Sequence, residues 1–218
     1  TRRSSDLNVS VADLKKNYKN LNVEFDLWKG ESDAEPYIAD MVKYLKDGGY
    51  AVESQGALVV NEKLQTSDPD IYAAGDAVQI PNRATGGLGM VSLAGPANRQ
   101  GRIIAAQLAG LREETFSGVV GSSVVKVFGL TAACAGVNEK ALKAAGVAYQ
   151  KIYLSPQHHA GYYPGGEPLT MKLLFAPDGR ILGIQCVGKE GVEKRVDVTA
   201  ALLQGGGTVS RLAKLELC

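Results

Sequence analysis

The amino-acid sequence predicts an α+β fold, in which an antiparallel sheet carries helices packed against it. Three observations lead to this class. Short apolar runs separated by glycine and proline fill the second half of the chain and are typical of paired strands. The turn at Pro177-Asp178-Gly179 joins two of these runs and predicts a hairpin. A stripe with helical spacing follows the hairpin and is formed by Val192, Val196, Ala200 and Leu203.

The first predicted element is an amphipathic helix near the amino terminus. Its apolar residues follow the i, i+3, i+4, i+7 spacing of one helix face, and Gly48 marks its end. These residues are Ile38, Met41, Val42 and Leu45.

Two short strands are predicted next. Residues 57–60 are an apolar run, residues 61–69 are rich in turn formers, and residues 71–74 are a second apolar run. The rest of this half is predicted to be a loop over residues 81–89, a helix over residues 93–108 and a polar linker over residues 111–118.

The second half supplies the antiparallel sheet. Asn138 is a predicted N-cap of a helix that ends at Gly146, and Thr208 begins a last short helix. Cys134 lies in another apolar, strand-like run. The predicted strands are residues 123–128, 169–175 and 181–187, and glycines 205–207 close the helical stripe.

Composition excludes several classes of function. Net charge is +1 and basic residues are scattered among acids, so no nucleic acid is expected as a partner. No apolar run could span a bilayer and no signal-peptide pattern opens the chain, so we expect no membrane association and a cytoplasmic location. His158 and His159 are adjacent and would point to opposite faces of a strand, so we expect no metal site.

The three cysteines are widely spaced and odd in number, which indicates neither a disulfide framework nor a zinc site. They are Cys134, Cys186 and Cys218. Because the first two lie in apolar runs, we expect them to be buried and inert thiols.

The stretch from Thr66 to Asp76 carries the strongest functional signal. A Ser-Asp-Pro-Asp turn leads into the short apolar run, which ends in Gly75-Asp76. Glycine permits close approach of a ligand, and an aspartate after a strand can accept hydrogen bonds from sugar or ribityl hydroxyls. The alternative on residue chemistry alone is an ordinary turn.

This stretch resembles the second flavin-binding motif of the pyridine nucleotide-disulfide oxidoreductases, and the resemblance extends over about residues 56–218. It implies that Gly75 and Asp76 hold FAD, with the aspartate on the ribityl chain. It also implies that Leu93 and Ala94, at the start of the helix, approach the pyrimidine edge of the flavin through backbone groups. The dipole of that helix would favour negative charge there. The alternative is a core helix.

Within that family the match is similar to the coenzyme A-disulfide reductase and NADH oxidase branch. Gly161-Tyr162-Tyr163-Pro164-Gly165 and residues 188–197 carry this likeness. It implies a homodimer, in which Tyr162 reaches the redox centre of the other subunit and donates a hydrogen bond to sulfur. The implied substrate is coenzyme A disulfide or a related small disulfide or persulfide. The alternatives are packing tyrosines at a turn and, for the second segment, a solvated helix start or a phosphate site.

The same family uses a redox cysteine and glycine-rich fingerprints that these 218 residues do not contain. Gly86-Gly87-Leu88-Gly89 is the nearest candidate and has no strand before it. We therefore expect the parent enzyme to use FAD and NAD(P)H and this chain to be inactive, with its last domain truncated. The alternative function is an inactive dimerisation module.

The amino-terminal segment resembles something else. Residues 25–33, 36–38 and 50–60 are similar to an internal piece of arginyl-tRNA synthetases, which gives a synthetase fragment as a third alternative. Residues 1–7 match a translated sequencing adapter, so we predict a chimeric reading frame. The predicted divisions are an artefact over residues 1–7, a synthetase-like fragment over 8–55, the end of an FAD-binding domain over 56–118 and a dimerisation domain over 119–218.

Overall fold

The chain divides into two units, Thr1–Leu45 and Lys46–Cys218. The structure, a computed structural model, describes residues 2–54, 56–111 and 114–217. Cys218 and two residues of the predicted polar linker, Arg112 and Glu113, lie outside the described residues.

The first unit is helical. Helix α1 runs over Arg2–Asn20, and helix α2, which extends just past the end of this unit, runs over Glu31–Asp47. The predicted amphipathic helix is confirmed by α2, although its residues Ile38 and Met41 are exposed. The sequence reasoning did not predict α1.

A small sheet opens the second unit. Its strands are β1 (Glu53–Ser54), β2 (Ala57–Val59), β3 (Val78–Pro81) and β4 (Leu88–Gly89), in the order β1-β2-β3-β4. Strands β2 and β3 are parallel, and the other two pairs are antiparallel. The strand predicted over residues 57–60 is confirmed by β2, whereas the loop predicted over residues 81–89 contains the short strand β4.

The strand predicted over residues 71–74 is wrong. Tyr72 forms a single bridge with Gln65, and a 3₁₀ turn over Gly75–Ala77 follows. The reason is local: the N–H of Ala73 donates to the Leu64 carbonyl at 3.0 Å, and the N–H of Thr66 donates to the Ile71 carbonyl at 2.9 Å. The apolar run therefore pairs with its own preceding turn, and β3 supplies the strand that joins the sheet.

Helix α3 (Ala94–Leu108) covers this small sheet and confirms the helix predicted over residues 93–108. Its Ile103 is buried in a core that two residues of β3, Leu64 from the segment between β2 and β3, and two residues after the helix complete. The buried members of this core are Leu64, Val78, Ile80, Ile103, Phe116 and Val119.

A five-stranded antiparallel sheet forms the rest of the second unit, in the order β5-β6-β9-β8-β7. Its strands are β5 (Ser123–Val127), β6 (Leu130–Gly136), β7 (Gln150–Leu154), β8 (Leu169–Phe175) and β9 (Ile181–Gly188). The helices are α4 (Glu139–Ala144), α5 (Val192–Gln204) and α6 (Val209–Leu212). The α+β class and the strands predicted over residues 123–128, 169–175 and 181–187 are confirmed, and β7 was not predicted.

Short polar side chains begin these helices and turns as the sequence predicts. Asn138 Oδ1 accepts the Ala141 N–H at 2.8 Å, and Thr208 Oγ1 accepts the Arg211 N–H at 3.3 Å. Asp178 Oδ1 accepts the Arg180 N–H at 3.0 Å in the hairpin turn. The Asn138 and Asp178 bonds satisfy backbone donors at the start of a helix and in a turn, and the Arg211 N–H also donates to the Thr208 carbonyl at 3.1 Å.

The two faces of the large sheet differ. Helix α5 packs on β6 and β9, over the buried residues Ala135 and Ile184, which are directly paired. The opposite face is only partly covered by α4. Its uncovered part is apolar and exposed, and the register places Val125, Val127, Leu130 and Val187 on it.

Candidate functional site

The Gly75-Asp76 turn lies against helix α3. Gly75 has φ of 76°, a left-handed conformation that favours glycine. Its N–H donates to Gln100 Oε1 at 2.7 Å, and a Cβ built on it would lie 3.8 Å from Ala97 Cβ. The structure therefore brings the Gly-Asp motif to the first two turns of the helix.

Asp76 presents an exposed carboxylate next to this contact. An ionised carboxylate is an acceptor only, with two oxygens that can receive hydroxyl donors. The 3₁₀ turn fixes the backbone on both sides of it, since the Val78 N–H donates to the Gly75 carbonyl. The geometry suits an acceptor for a polyhydroxyl ligand.

The amino end of α3 has free donors. Leu93 is the extended N-cap residue and offers no side-chain acceptor, and its own N–H donates to the Val91 carbonyl at 2.9 Å. Ala94 and Gly95 are exposed, and the N–H groups of these first helical positions have no acceptor within the helix. Pro96, the third helical residue, has no N–H at all. This end of the helix can therefore receive negative charge.

Gln100 was missed by the sequence reasoning. It is 1% exposed, and its Nε2 has no hydrogen-bond partner among the described residues. The Gly75 N–H can only donate, so the oxygen of the side chain must face it and the orphan group is the NH₂. A glutamine three residues before Ile103, on the buried face of α3, is the sequence signal that could have found it.

Tyr162 lies apart from these residues, in the loop between β7 and β8. It is 83% exposed, and its ring lies 4.9 Å from the ring of Tyr163, centroid to centroid. The Tyr163 N–H donates to the Ala160 carbonyl at 3.1 Å, which closes a turn at the tip of the loop. The phenol is therefore presented outward, where a second molecule could meet it.

A carboxylate with three lysines lies on the partly covered face of the sheet. Glu139 of α4 forms ion pairs with Lys151 of β7 at 2.9 Å and with Lys172 of β8, and Lys143 lies 3.4 Å away. The Tyr149 hydroxyl donates to it at 2.6 Å. The hydrogen bonds from Lys172, Tyr149 and Lys151 hold the pKa of Glu139 well below its usual range. None of the predicted site residues belongs to this cluster.

The cysteines differ in burial. Cys186 is 1% exposed, as predicted, and burial raises the pKa of its thiol, which disfavours the reactive thiolate. Cys134 is only partly buried, contrary to prediction, because the face of the sheet on which it lies is not fully covered. Its Sγ lies 3.3 Å from Ser123 Oγ on β5.

Among the described residues, no group of three or more histidine, cysteine, aspartate or glutamate side chains is arranged to hold a metal ion. Within residues 2–54, 56–111 and 114–217, none of the helices combines the length and apolarity needed to cross a bilayer. The expected cytoplasmic location stays a prediction.

A cavity of about 320 Å³ lies in the second unit between β8, α5 and the carboxyl-terminal residues. Neither Asp76 nor Tyr162 lines it. Its lining residues are Met171, Lys194, Arg195, Val198, Thr199, Leu212, Glu216 and Leu217.

The antiparallel sheet with its packed helices and the Gly-Asp turn against α3 define an α+β protein with two candidate ligand-facing segments. Residues 122–216 match the dimerisation domain of the pyridine nucleotide-disulphide oxidoreductases, and residues 37–101 match the family model named pyridine nucleotide-disulphide oxidoreductase. Two segments of the chain are therefore similar to pyridine nucleotide-disulphide oxidoreductases, and the second of them is similar to the dimerisation domain.

Individual proteins show the same similarity. Coenzyme A disulfide reductase from Staphylococcus epidermidis is 34% identical over 176 residues, which cover 80% of this chain and 40% of that protein. Reduced CoADR-RHD from Bacillus anthracis has a TM-score of 0.75 and 44% identity, with 80% of this chain and 31% of that one covered. An FAD-dependent pyridine nucleotide-disulphide oxidoreductase from Desulfovibrio vulgaris has a TM-score of 0.64 and 35% identity, over 78% of this chain and 41% of that one.

The chain thus spans about 40% of the length of the curated relatives that it matches. The match of residues 37–101 begins inside the segment that resembles a synthetase. The synthetase-like origin of residues 8–55, the boundary at residue 56 and the adapter origin of residues 1–7 stay predictions.

Proposed function

We propose that this chain is part of an FAD-dependent NAD(P)H:disulfide oxidoreductase of the coenzyme A-disulfide reductase type. In this proposal it contributes the second FAD motif and the dimer interface. The observation that carries the proposal is the contact between the Gly75-Asp76 turn and α3, fixed by the 2.7 Å hydrogen bond from Gly75 to Gln100. That contact unites an exposed acceptor and a helix amino end in one region of the molecule.

The residues at this contact fit FAD. The Asp76 carboxylate is exposed and accepts hydrogen bonds, which suits the hydroxyls of a ribityl chain. Ala94 and Gly95 offer N–H groups that suit the pyrimidine edge of the flavin. The orphan Nε2 of Gln100 is a buried donor that an added acceptor would stabilise.

FAD, when bound, would supply the electron transfer between NAD(P)H and a disulfide. The protein residues would bind and orient it. Asp76 would hold the ribityl hydroxyls, and the free N–H groups of Ala94 and Gly95 would stabilise negative charge at the ring edge. The Leu93 N–H is already bonded to the Val91 carbonyl, so Leu93 would contribute only by starting the helix there. Neither role requires a side chain to move.

Tyr162 acts, in this proposal, across a homodimer. Its 83% exposure supports a role toward a partner rather than within its own subunit. The phenol Oη would donate a hydrogen bond to a sulfur atom of coenzyme A disulfide, or of a related small disulfide or persulfide. The name of the Staphylococcus relative supports this substrate class.

The alternative function is a dimerisation module without chemistry. It is favoured by the core of the five-stranded sheet, the large core of the molecule. Apart from Ala84, all buried residues of this large core lie within residues 119–218. Strands β5 and β7 at the two edges of the sheet are exposed along their whole length, and edge strands of this kind favour association. Apolar residues on the uncovered face add to this surface.

Purified protein distinguishes these possibilities. Absorbance in the flavin band after addition and removal of free FAD measures cofactor retention, and analytical ultracentrifugation measures assembly. A yellow dimer is the expected result. A colourless dimer would support the module alone, and a colourless monomer would contradict both functions.

We also propose that residues 1–7 and 8–55 were joined to the oxidoreductase segment in an assembled reading frame. The support is the resemblance of these residues to an adapter and to arginyl-tRNA synthetases. Long-read sequencing of the source DNA across the codons for residues 50–65 tests this. An uninterrupted native gene with the same junction would refute it.

A further inference from the structure

The loop over residues 155–168 carries Tyr162. Its two ends pair with each other through residues 156–158 and 167–169, which we call the neck of the loop. The Leu169 N–H donates to the Pro156 carbonyl at 2.8 Å, and the His158 N–H donates to the Glu167 carbonyl at 3.0 Å. Past this pair, the turn at the tip is local, since the Tyr163 N–H bonds to Ala160. The backbone bonds that join the two sides of the loop therefore lie at this neck, next to His158.

The His158 ring makes a second connection across the neck. The Glu167 N–H donates to its Nδ1 at 3.0 Å. Because a backbone amide can only donate, Nδ1 is the acceptor of this bond. One bond from the backbone and one through the ring thus join His158 to Glu167.

Residues 189–195, which lead into and begin α5, contact both sides of this neck. Arg195 Nη2 donates to the His158 carbonyl at 3.2 Å, and Lys189 Nζ lies 2.8 Å from Glu167 Oε1. Gly191, with φ of 70°, leaves room for this approach, because a Cβ there would come 3.1 Å from His158 Cβ. The segment over residues 188–197 therefore packs against the neck of the Tyr162 loop.

We propose that His158 is a positioning residue for Tyr162, with Arg195 as its anchor on α5. The imidazole ties the two sides of the neck together, and the guanidinium fixes that neck to a helix that packs on the sheet. This inference rests on the proposed role of Tyr162. It also gives a function to the segment over residues 188–197, which takes no part in the proposed flavin site.

Two variants of His158 test the ring contact. Asparagine places Oδ1 close to where Nδ1 lies and still accepts a hydrogen bond, whereas leucine does not. Amide hydrogen exchange, resolved by residue with NMR, should show the Glu167 and Tyr163 amides exchanging about tenfold faster in His158→Leu. In His158→Asn they should stay within about twofold of the unaltered chain. Equal exchange in all three proteins, or failure of asparagine to preserve protection, would overturn the proposal.

A second pair of variants addresses the anchor. Arg195→Ala removes the donor to the His158 carbonyl, and Lys194→Ala removes a neighbouring exposed charge on the same helix. Faster exchange is expected for Arg195→Ala alone, with amides of β8 and β9 unchanged. If His158→Leu loosens the whole sheet, this pair decides the question, and an equal effect of both alanine variants refutes the anchor.

The position of Tyr162 needs its own measurement. In protein labelled with 3-fluorotyrosine, the Tyr162 resonance is identified by its loss in Tyr162→Phe. It should shift or broaden in His158→Leu and Arg195→Ala and remain unchanged in His158→Asn and Lys194→Ala. An unchanged resonance in all four variants would refute the positioning role. None of these measurements requires bound flavin, so failure of the FAD proposal would be seen separately.

Discussion

Asp76 is the residue on which the flavin proposal depends most. Its carboxylate is exposed, and the turn is held by the bond from the adjoining Gly75 to Gln100 at 2.7 Å. Replacing the Asp76 side chain should therefore leave the turn intact. Hydrogen bonds to a charged group are worth about 1.5–3 kcal/mol. Asp76→Ala should therefore weaken FAD binding by roughly 10- to 100-fold, as measured by quenching of flavin fluorescence.

The control for this prediction is Asp70→Ala. Asp70 is also an exposed aspartate and lies in the turn that precedes the Gly75-Asp76 pair; the contact described for it is made by its N–H, which donates to Asp68 Oδ1. Asp70→Ala removes the same negative charge, but the affinity for FAD should stay within about twofold of that of the unaltered chain. Equal weakening by both variants would mean that general charge, and not the Asp76 position, matters.

Some residues of the candidate site could be predicted from the sequence and others could not. Gly75 and Asp76 were found because their order along the chain forms a local motif, and the structure places them in a turn against α3. Gln100 was not found, because its partner Gly75 lies twenty-five residues away along the chain and only folding brings the two together. A polar residue on a buried helix face predicts that some partner exists but not which one.

Helix α4 is attached to the sheet by ion pairs. Glu139 joins it to β7 and β8 through Lys151 and Lys172. Since these contacts lower the pKa of Glu139, the unfolded chain binds a proton at higher pH than the folded chain. The stabilisation is therefore complete above the ordinary glutamate pKa of about 4.3 and is lost as the pH falls through the folded value.

Glu139→Gln should accordingly lower the free energy of unfolding at pH 7. The difference from the unaltered chain should shrink as the pH is lowered below about 4.3. Urea unfolding over a pH series measures it. Glu62→Gln, which alters an exposed glutamate outside the helices, should show no such difference, and a gap that widens in acid would contradict the assignment.

The apolar attachment of α4 can be tested separately. Leu142 is fully buried in the large core, whereas Lys140 on the same helix is exposed. Leu142→Ala should lower the free energy of unfolding by about 2–5 kcal/mol through lost burial and the cavity left behind. Lys140→Ala should change it by less than about 0.5 kcal/mol, and chemical denaturation compares the two.

Elements with local signals were predicted well. The Asn138 cap, the Asp178 turn and the α5 stripe each depend on residues within a few positions of one another. Strand β7 was missed because all five of its residues are exposed and show no alternation. The strand expected over residues 71–74 failed because a nearby turn, and not a sheet, took its backbone hydrogen bonds.

At the scale of the whole molecule, residues 119–218 should fold by themselves. Their core needs only Ala84 from outside, together with the bond from Arg180 Nη1 to its carbonyl at 2.8 Å. The isolated piece should unfold cooperatively in urea, followed by circular dichroism. Residues 46–118, with strands of two to four residues and a smaller core, should show little cooperativity. A gradual transition for the 119–218 piece would contradict this division.

Self-association should appear as a dependence of stability on concentration. If the apolar face and open edges of the large sheet meet a second copy, the midpoint of thermal unfolding rises with protein concentration. The experiment compares midpoints over a hundredfold range of concentration. A midpoint that stays constant would argue against a dimer linked to folding.

The sequence by itself determined the α+β class, the order of most elements and the Gly-Asp motif, because each of these depends on neighbours along the chain. Tertiary structure alone decided that Gln100 meets Gly75, that Glu139 gathers lysines from two strands and that His158 joins the Tyr162 loop to α5. The physical reason is that burial and hydrogen-bond partners are set by long-range packing, about which local spacing carries little information.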